Sequence, residues 1–266
     1  LLQGVSSYAS SNDKNYIAYL KARPTNNNQA ETDNDIHIYN IKTKEDSKIV
    51  AGKAVQRKIL WSPDGRYIIV ERGTDSLGYS NVYSLETRKD NGCGFSGNAI
   101  WISNTEILAP SFPTNLAQRP GIDTEPKGIR KINIETCQSE DFLSPTNTAD
   151  YSAVKMVDNT LIVKKTYVDK LEDWNNITQE SKTKTTYEKV DLQTKASTPY
   201  PEYEKEKELE NERLRELVPV TVDVRAVYNS AKDVATGWEL VNVYKGISIY
   251  NNEIYLIGPD KTVVKI

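Results

Sequence analysis

The single histidine of this chain, His37, is the first candidate for acid–base chemistry. A Ser-His-Asp set would use it as the general base that activates a serine nucleophile. It lies in an alternating stretch that predicts a strand, and there it shares one face with Asp35 and Tyr39. No Gly-x-Ser-x-Gly sequence accompanies it. We therefore expect a packing or surface histidine, and no catalytic residue in this chain.

Metal ligands and reactive thiols are the next candidates. The oxygen-rich residues 32–35 could contribute to a Ca²⁺ site, but the EF-hand spacing and its distal glutamate are absent, so a turn is the expectation. Cys93 and Cys137 fit no metal motif. They could form one disulfide, as in many envelope proteins, or remain two free thiols, which is our expectation. We expect no cofactor and no metal.

The composition restricts the class of protein. Of the 266 residues, 38% are hydrophobic and 27% charged, and the formal net charge is −3. These values indicate a globular chain and argue against nucleic acid as a partner. No apolar run is long enough to span a membrane. The sequence begins at Leu1 rather than at Met, so we expect that an N-terminal signal peptide or membrane anchor has been removed. The predicted location is periplasmic or extracellular, free or tethered to the membrane.

The element that must position any site is a β-hairpin over residues 59–71. Trp61 closes a short apolar strand, and Ser62-Pro63-Asp64-Gly65 supplies turn residues. The run from Tyr67 to Val70 then suits a buried strand. Trp-Ser-Pro-Asp-Gly-Arg-Tyr-Ile resembles the hairpin of the blade repeat in TolB-type propellers and in the propellers of prolyl-oligopeptidase-type peptidases. The resemblance implies a β-propeller, and it covers the blades without any hydrolase domain.

A second motif repeats along the chain. Four alternating strands each end in Ile or Leu, then a polar residue, then Thr43, Thr87, Thr136 or Thr194. These threonines are 44, 49 and 58 residues apart, at or above the roughly 40–50 residues of a four-stranded propeller blade. Each motif follows a predicted hairpin, and the threonine can bond its own backbone in the turn.

A fifth copy is predicted at residues 246–266, with its fourth strand missing. That strand would come from residues 1–4 or from residues 218–227, and the alternation of the second segment favours it. Residues 201–217 predict the one helix, either a solvated strap or a docking helix for a partner. Residues 229–242 predict no defined element.

Together these patterns predict an all-β fold, a five-bladed β-propeller with one inserted α-helix. We expect a single domain over residues 1–266, with blades at 5–50, 54–95, 97–143, 150–200 and 218–266, and the helical insertion at 201–217.

The long connections fall between the second and third strands of the first four blades, on one face. Aromatic and arginine side chains anchor many protein interfaces. The predicted binding residues on this face are Arg72, Tyr79, Phe112, Arg119, Tyr167 and Trp174. The alternative is that Phe112 and Trp174 fold inward and fix their own loops.

The predicted function is a non-enzymatic binding scaffold of the cell envelope that holds a protein or peptide partner. One alternative is a substrate-gating propeller associated with a hydrolase. Another is a glycan-binding or glycan-processing propeller, for which paired carboxylates are needed. The predicted first strands of blades one to four carry none.

Overall fold

A computed structural model describes most of the chain, namely residues 5–22, 34–50, 56–72, 79–112, 126–175, 182–218, 227–232, 237–244 and 252–265. The chain divides into two compact units, Leu1–Pro199 and Tyr200–Ile266. The first unit contains four antiparallel sheets, and the second contains one such sheet and the α-helix. The fold is therefore all-β with one helix. That residues 1–266 form one propeller domain with the predicted blade limits stays a prediction.

Each of the first two sheets contains four consecutive strands in order, and the second also has a fifth. The first contains β1 (Val5–Ser10), β2 (Tyr16–Ala22), β3 (Asn34–Asn40) and β4 (Asp46–Val50). The second contains β5 (Gln56–Trp61), β6 (Tyr67–Arg72), β7 (Tyr79–Ser84) and β8 (Lys89–Asp90), and the short β9 (Phe95–Ser96) also pairs with β7. The predicted hairpin around Trp61 is thus confirmed.

The third and fourth sheets repeat this order. The third contains β10 (Ile100–Trp101), β11 (Glu106–Ser111), β12 (Gly128–Asn133) and β13 (Ser139–Leu143). The fourth contains β14 (Ala149–Val157), β15 (Thr160–Tyr167), β16 (Lys184–Asp191) and β17 (Ser197–Pro199). A short 3₁₀-helix, Leu171–Asn175, follows β15.

The second unit corrects the prediction of an incomplete fifth blade. Helix α1 (Tyr203–Leu217) lies where the helix is predicted. The fifth sheet then contains β18 (Val227–Lys232), β19 (Glu239–Tyr244), β20 (Asn252–Ile257) and β21 (Val263–Lys265) in sequence order. It has four strands without a donated one, so the prediction of a missing strand is wrong. Of the two proposed donor segments, residues 1–4 lie outside the described part of the chain, and so do residues 219–226 of the segment 218–227.

Apolar side chains join neighbouring sheets of the first unit in three layers. Along β6, Ile68 and Val70 lie in the layer shared with the first sheet, and Ile69 lies in the layer shared with the third. Along β11, Ile107 contributes to that same second layer and Leu108 to the layer shared with the fourth sheet. Alternation along a strand places successive side chains on opposite faces, so each central strand serves two layers.

In the second unit, α1 packs on the fifth sheet through Leu214, which is 1% exposed. Glu239 is 4% exposed, and its carboxylate accepts a hydrogen bond of 2.6 Å from Arg213 of the helix. Leu209 is 55% exposed, as expected from the narrow apolar stripe of the helix.

Trp61 shows how the hairpin turns connect sheets. Its indole Nε1 donates to the backbone oxygen of Ala9 in the first sheet at 2.8 Å, and its ring stacks on Tyr16. In the turn between β5 and β6, the Ser62 hydroxyl accepts from the backbone N–H of Tyr67 at 3.0 Å and donates to Asp64 at 2.8 Å.

The threonine motif has a simple physical basis. In three sheets, the residue three positions before the threonine has a side-chain oxygen that accepts backbone N–H groups of the turn. These residues are Asn40, Asn133 and Asp191. The residue after each threonine has a positive φ, for example 60° at Lys44 and 57° at Lys195. The predicted threonine bond to its own backbone is present at Thr136 and Thr194.

Cys93 and Cys137 form a disulfide, so the expectation of two free thiols is wrong. Cys93 follows β8 and Cys137 lies in the turn between β12 and β13, with 5.1 Å between their Cα atoms. Asn91 supports the same junction, since its side chain donates to the backbone oxygen of Ile134 at 2.6 Å. The bond therefore joins the second sheet to the third.

Removal of this cross-link should destabilise the protein. The bond closes a loop of 44 residues in sequence, and disulfides that restrict loops of this size stabilise proteins by about 2–4 kcal/mol. We expect the double variant Cys93→Ala, Cys137→Ala to lose roughly that free energy of unfolding, measured by urea denaturation. The unchanged chain under reducing conditions is the control and should match the variant. An unaltered denaturation midpoint would contradict the expectation.

Asp191 should make the fourth sheet sensitive to acid. Its pKa is lowered by the backbone N–H of Thr194 and then by the Thr194 hydroxyl. A lowered pKa means that the carboxylate stabilises the fold above its unfolded-state pKa of about 3.9. This contribution is lost as the pH falls through the folded-state pKa.

The variant Asp191→Asn copies the acceptor that Asn40 and Asn133 supply in the same position. It should keep the turn and reduce the loss of stability measured by urea denaturation between about pH 6 and about pH 2.5. Asp191→Ala, the control, removes the acceptor and should be less stable at every pH. An equal pH slope for Asp191→Asn and the unchanged protein would refute the assignment.

Candidate binding face

The short turns of the first unit lie together at one end of its sheets. The Asn12 side chain donates to the backbone oxygen of Pro63 at 3.0 Å, which connects the β1–β2 and β5–β6 turns. The Tyr67 hydroxyl donates to Glu135 at 3.1 Å, which connects the β5–β6 and β12–β13 turns. Strand connections alternate between the ends of an antiparallel sheet, so the longer connections between second and third strands leave from the opposite end. We call that end of the first four sheets the long-loop face.

Neighbouring sheets also contact each other at the long-loop face. The backbone N–H of Lys127, just before β12, donates to the carboxylate of Asp150 at 2.8 Å. The backbone N–H of Tyr151 donates to the oxygen of Lys127 at 2.8 Å. The start of β14 in the fourth sheet is thereby held against the start of β12 in the third.

The predicted binding residues of the second sheet lie at this end. Arg72 ends β6 and is the Cα partner of Tyr79, which begins β7. Tyr79 is 48% exposed, and its hydroxyl lies against Gly94 in a position that a Cβ on that residue would occupy. Of Arg72 only the backbone is described, and Arg119 lies outside the described residues.

Tyr167, at the end of β15, stands between two lysines. The ammonium groups of Lys165 and Lys184 are 5.7 Å and 6.0 Å from the centre of its ring. Lys184 is also paired with Asp169 at 2.6 Å, and this hydrogen bond raises the pKa of Lys184. The cationic groups on the ring of Tyr167 are therefore supplied by its own sheet.

Trp174 is buried, in agreement with the inward alternative. It is 7% exposed within the 3₁₀-helix, and its indole Nε1 donates to the backbone oxygen of Asn147 at 2.9 Å. This bond fixes the segment after β15 to the segment before β14. Phe112, which follows β11, is partly exposed and lines a cavity of the third sheet.

This cavity brings the predicted residue Phe112 together with residues that sequence reasoning missed. Its volume is about 180 Å³, and its lining residues are Ser111, Phe112, Arg130, Ser139, Glu140 and Asp141. The Ser111 hydroxyl and the Arg130 Nε are buried and have no hydrogen-bond partner among the described residues. The sequence signal is the alternation of Arg130 with Ile132 and Ile134, which places a charged residue on the face that is otherwise apolar.

In a larger cavity on the same sheet, the charged side chains pair with one another. It measures about 550 Å³ and is lined by Glu106, Lys131 and Glu140 among others. Lys131 lies 2.9 Å from Glu140 and 3.4 Å from Glu106. The hydrogen bond between Lys131 and Glu140 raises the pKa of the lysine and lowers the pKa of the glutamate. These groups already have partners.

The described residues contain no group of three or more His, Cys, Asp or Glu side chains that could hold a metal ion. His37 pairs with Asp46 at 3.1 Å, and Asp46 also accepts from the buried Tyr19 hydroxyl at 2.7 Å. Asp35, from the oxygen-rich stretch, pairs with Lys48 at 2.6 Å. Across the described segments, no helix is both long and apolar enough to cross a bilayer.

Solved structures show the same kind of fold. The β-propeller domain of the Trilobed protease from Pyrococcus furiosus aligns with 100% of this chain and 69% of its own, at a TM-score of 0.52 and 13% identity. The acylaminoacyl peptidase of Pyrococcus horikoshii aligns with all of this chain, at a TM-score of 0.51 and 12% identity. This chain spans only 39% of that peptidase.

The predicted likeness to peptidase propellers is therefore confirmed as a likeness of fold. TolB from Acinetobacter baumannii aligns at a lower TM-score of 0.43, with 10% identity over 95% of this chain and 52% of its own. No family model matches the sequence, and no curated protein matches it.

The burial of Trp174 leads to a test of its contribution to the stability of the fold. Trp174→Ala should reduce the free energy of unfolding by about 3–5 kcal/mol, because a large buried ring is lost. Trp174→Phe should cost about 0.5–1.5 kcal/mol, mainly for the hydrogen bond to Asn147. Both values come from urea denaturation followed by circular dichroism.

Tyr79→Ala is the matched control for this series. Its ring is about half exposed, so a much smaller loss of stability is expected. Equal stability of Trp174→Ala and the unchanged protein would show that Trp174 does not fix its segment.

Proposed function

We propose that this chain is a non-enzymatic binding scaffold that holds a protein or peptide partner on its long-loop face. The observation that supports this proposal most is the contrast between the two ends of the sheets. At the short-turn end, side-chain oxygens such as those of Ser62 and Asp191 bond the backbone of their own turns. At the other end, Tyr79 is exposed, and the Ser111 hydroxyl and the Arg130 Nε are buried without a partner among the described residues. The Trp101 Nε1, beside the β10–β11 turn, is also buried without a partner among them, so the contrast rests on Tyr79 and on the shared cavity of Ser111 and Arg130.

Residue types support the same assignment. Tyrosine, phenylalanine and arginine are enriched where proteins bind one another. Tyr79 and Phe112 lie at this face, and Arg72 and Arg119 belong to the same predicted set. That these residues contact the partner is part of the proposal. That the five sheets are five blades of one TolB-like propeller is part of it as well.

The proposed location is periplasmic or extracellular, with the protein free or tethered to the membrane. The disulfide between Cys93 and Cys137 supports an oxidising compartment, because disulfides persist there and are rare in the cytosol of mesophiles.

The carboxylates at the cavities do not favour a glycan-processing role. Such an enzyme needs one carboxylic acid with a raised pKa as its general acid. Glu140, which lines both cavities, has instead a lowered pKa because Lys131 donates a hydrogen bond to it. A role as a gating propeller for a hydrolase finds no specific support in the described residues.

The proposal is tested with a variant whose long connections are shortened. Residues 113–125 and 176–181 would be replaced by tight turns, and circular dichroism would check the fold. The intact protein would capture partners from an extract of the native cell envelope. A captured protein would then be purified, and its dissociation constant measured with both forms. We expect binding to weaken by at least about tenfold when the connections are shortened.

The matched control changes the opposite face. Lys42→Ser with Gln193→Ser alters two exposed side chains of the short turns and should bind like the unchanged protein. Equal binding by the loop-shortened form would show that the face is wrong, and helix α1 would be examined next. If no protein binds, the scaffold proposal fails, and small molecules and glycans would be the next ligands to test.

A further inference from the structure

We infer that the cavity lined by Ser111, Phe112, Arg130, Ser139, Glu140 and Asp141 binds a single carboxylate. The carboxylate would be an aspartate or glutamate side chain of the bound partner. The inference rests on the proposed function, since it names the chemistry by which the long-loop face recognises a protein or peptide. We call this cavity the Arg130 pocket.

Two unsatisfied donors define the pocket. Ser111 is 7% exposed, and its hydroxyl has no partner among the described residues. The Nε of Arg130 is also buried and unpaired within the described part of the chain. Buried polar groups without a partner are rare in native proteins, because each has lost its bonds to water. One carboxylate has two oxygens and can accept from a guanidinium and a hydroxyl together.

The sheet pairs the neighbouring cation, Lys131, whereas the Nε of Arg130 has no partner within the described segments. Lys131, the next residue along β12, is held by Glu106 and Glu140 at 3.4 and 2.9 Å. Arg130 is the Cα partner of Asp141 across β12 and β13, so both side chains leave the same face of the sheet. Nevertheless, no ion pair joins them within the described part of the chain, and the Asp141 carboxylate accepts from the Ser144 hydroxyl at 3.5 Å.

The charge of the lining favours a singly charged ligand. Arg130 contributes one positive charge and Asp141 one negative charge, while Glu140 is offset by Lys131. A carboxylate adds one negative charge next to Arg130. A phosphate group adds about 1.5 to 2 negative charges and would be repelled more strongly by Asp141.

The size of the pocket favours a side chain over a free small molecule. Its volume of about 180 Å³ is below the roughly 300–1,000 Å³ of typical small-molecule sites. Phe112 offers an apolar wall for the methylene groups of an acidic side chain.

The test titrates the intact, ¹⁵N-labelled protein with N-acetyl-glutamate amide and with its neutral analogue N-acetyl-glutamine amide. Backbone amide resonances of Ser111, Phe112 and Arg130 are followed by NMR. We expect saturable shifts at these residues with the glutamate probe and at least about tenfold weaker binding of the glutamine probe. Equal affinity for the two probes, or shifts confined to other residues, would overturn the inference.

Variants assign the effect to the pocket. Arg130→Gln should weaken binding of the glutamate probe by at least about tenfold, and Ser111→Ala by severalfold. Arg88→Gln removes the same charge from an exposed turn of the short-turn end and should change nothing. If Arg130→Gln fails the circular dichroism check of its fold, Ser111→Ala decides the question. Undiminished binding by a folded Arg130→Gln or, in that case, by Ser111→Ala would reject the pocket.

Inorganic phosphate tests the choice of anion. Binding as tight as that of the glutamate probe would overturn the assignment to a carboxylate. The titration needs no protein partner, so its failure is distinguishable from failure of the scaffold proposal. Loop-dependent partner binding without probe binding would reject the pocket alone. Probe binding without any partner would reject the scaffold proposal and leave a carboxylate site.

Discussion

Apolar side chains on both faces of a sheet must be covered, and in the first unit only a neighbouring sheet can cover them. Ile68 and Val70 of β6 turn to one neighbour, while Ile69 between them turns to the other. The same division holds on β11 for Ile107 and Leu108. No four-stranded sheet of this kind can bury its apolar residues alone, which is the physical reason for a repeated unit.

Stacking of this kind leaves the ends of the strands for turns and for function. The short turns are held by local polar contacts. In the four threonine turns, a backbone N–H donates to a side-chain oxygen of Asn40, Ser84, Asn133 or Asp191. The same end also connects neighbouring sheets, as the Tyr67–Glu135 contact shows. Among the described residues, the buried Trp101 Nε1 is a donor near these turns that lacks a hydrogen-bond partner. The opposite end carries the longer connections. Ser111 ends β11 there and Arg130 follows in the middle of β12, and among the described residues neither the Ser111 hydroxyl nor the Arg130 Nε has a hydrogen-bond partner.

Much of the architecture was predictable from local sequence, because tight turns need particular residues. Ser62, Asp64 and Gly65 specify one hairpin, and the threonine motif specifies another turn in each of the first four sheets. The fifth sheet was misread for the same reason. Asn251 and Asn252 resemble a hairpin turn between first and second strands, but Asn252 begins the third strand opposite Tyr244. Turn residues indicate where the chain reverses direction, but they do not show which strand of the sheet has just ended.

The Arg130 pocket and the disulfide could not be predicted in this way, because both depend on register between distant segments. Arg130 and Asp141 face each other only through the pairing of β12 with β13, and Ser111 joins them through β11. Cys93 and Cys137 meet only because the second and third sheets are stacked. The sequence alone contains the residues but not their distances.

The disulfide also changes how the protein responds to mechanical force. Its two cysteines are 44 residues apart, and an extended chain spans about 3.3–3.6 Å per residue. A pull on the two ends of the oxidised chain therefore leaves roughly 150 Å of contour inside a closed loop that carries no tension. The load passes through the sulfur bridge from the second sheet directly to the third, and the strands between the two cysteines, β9 to β12, are shielded from it.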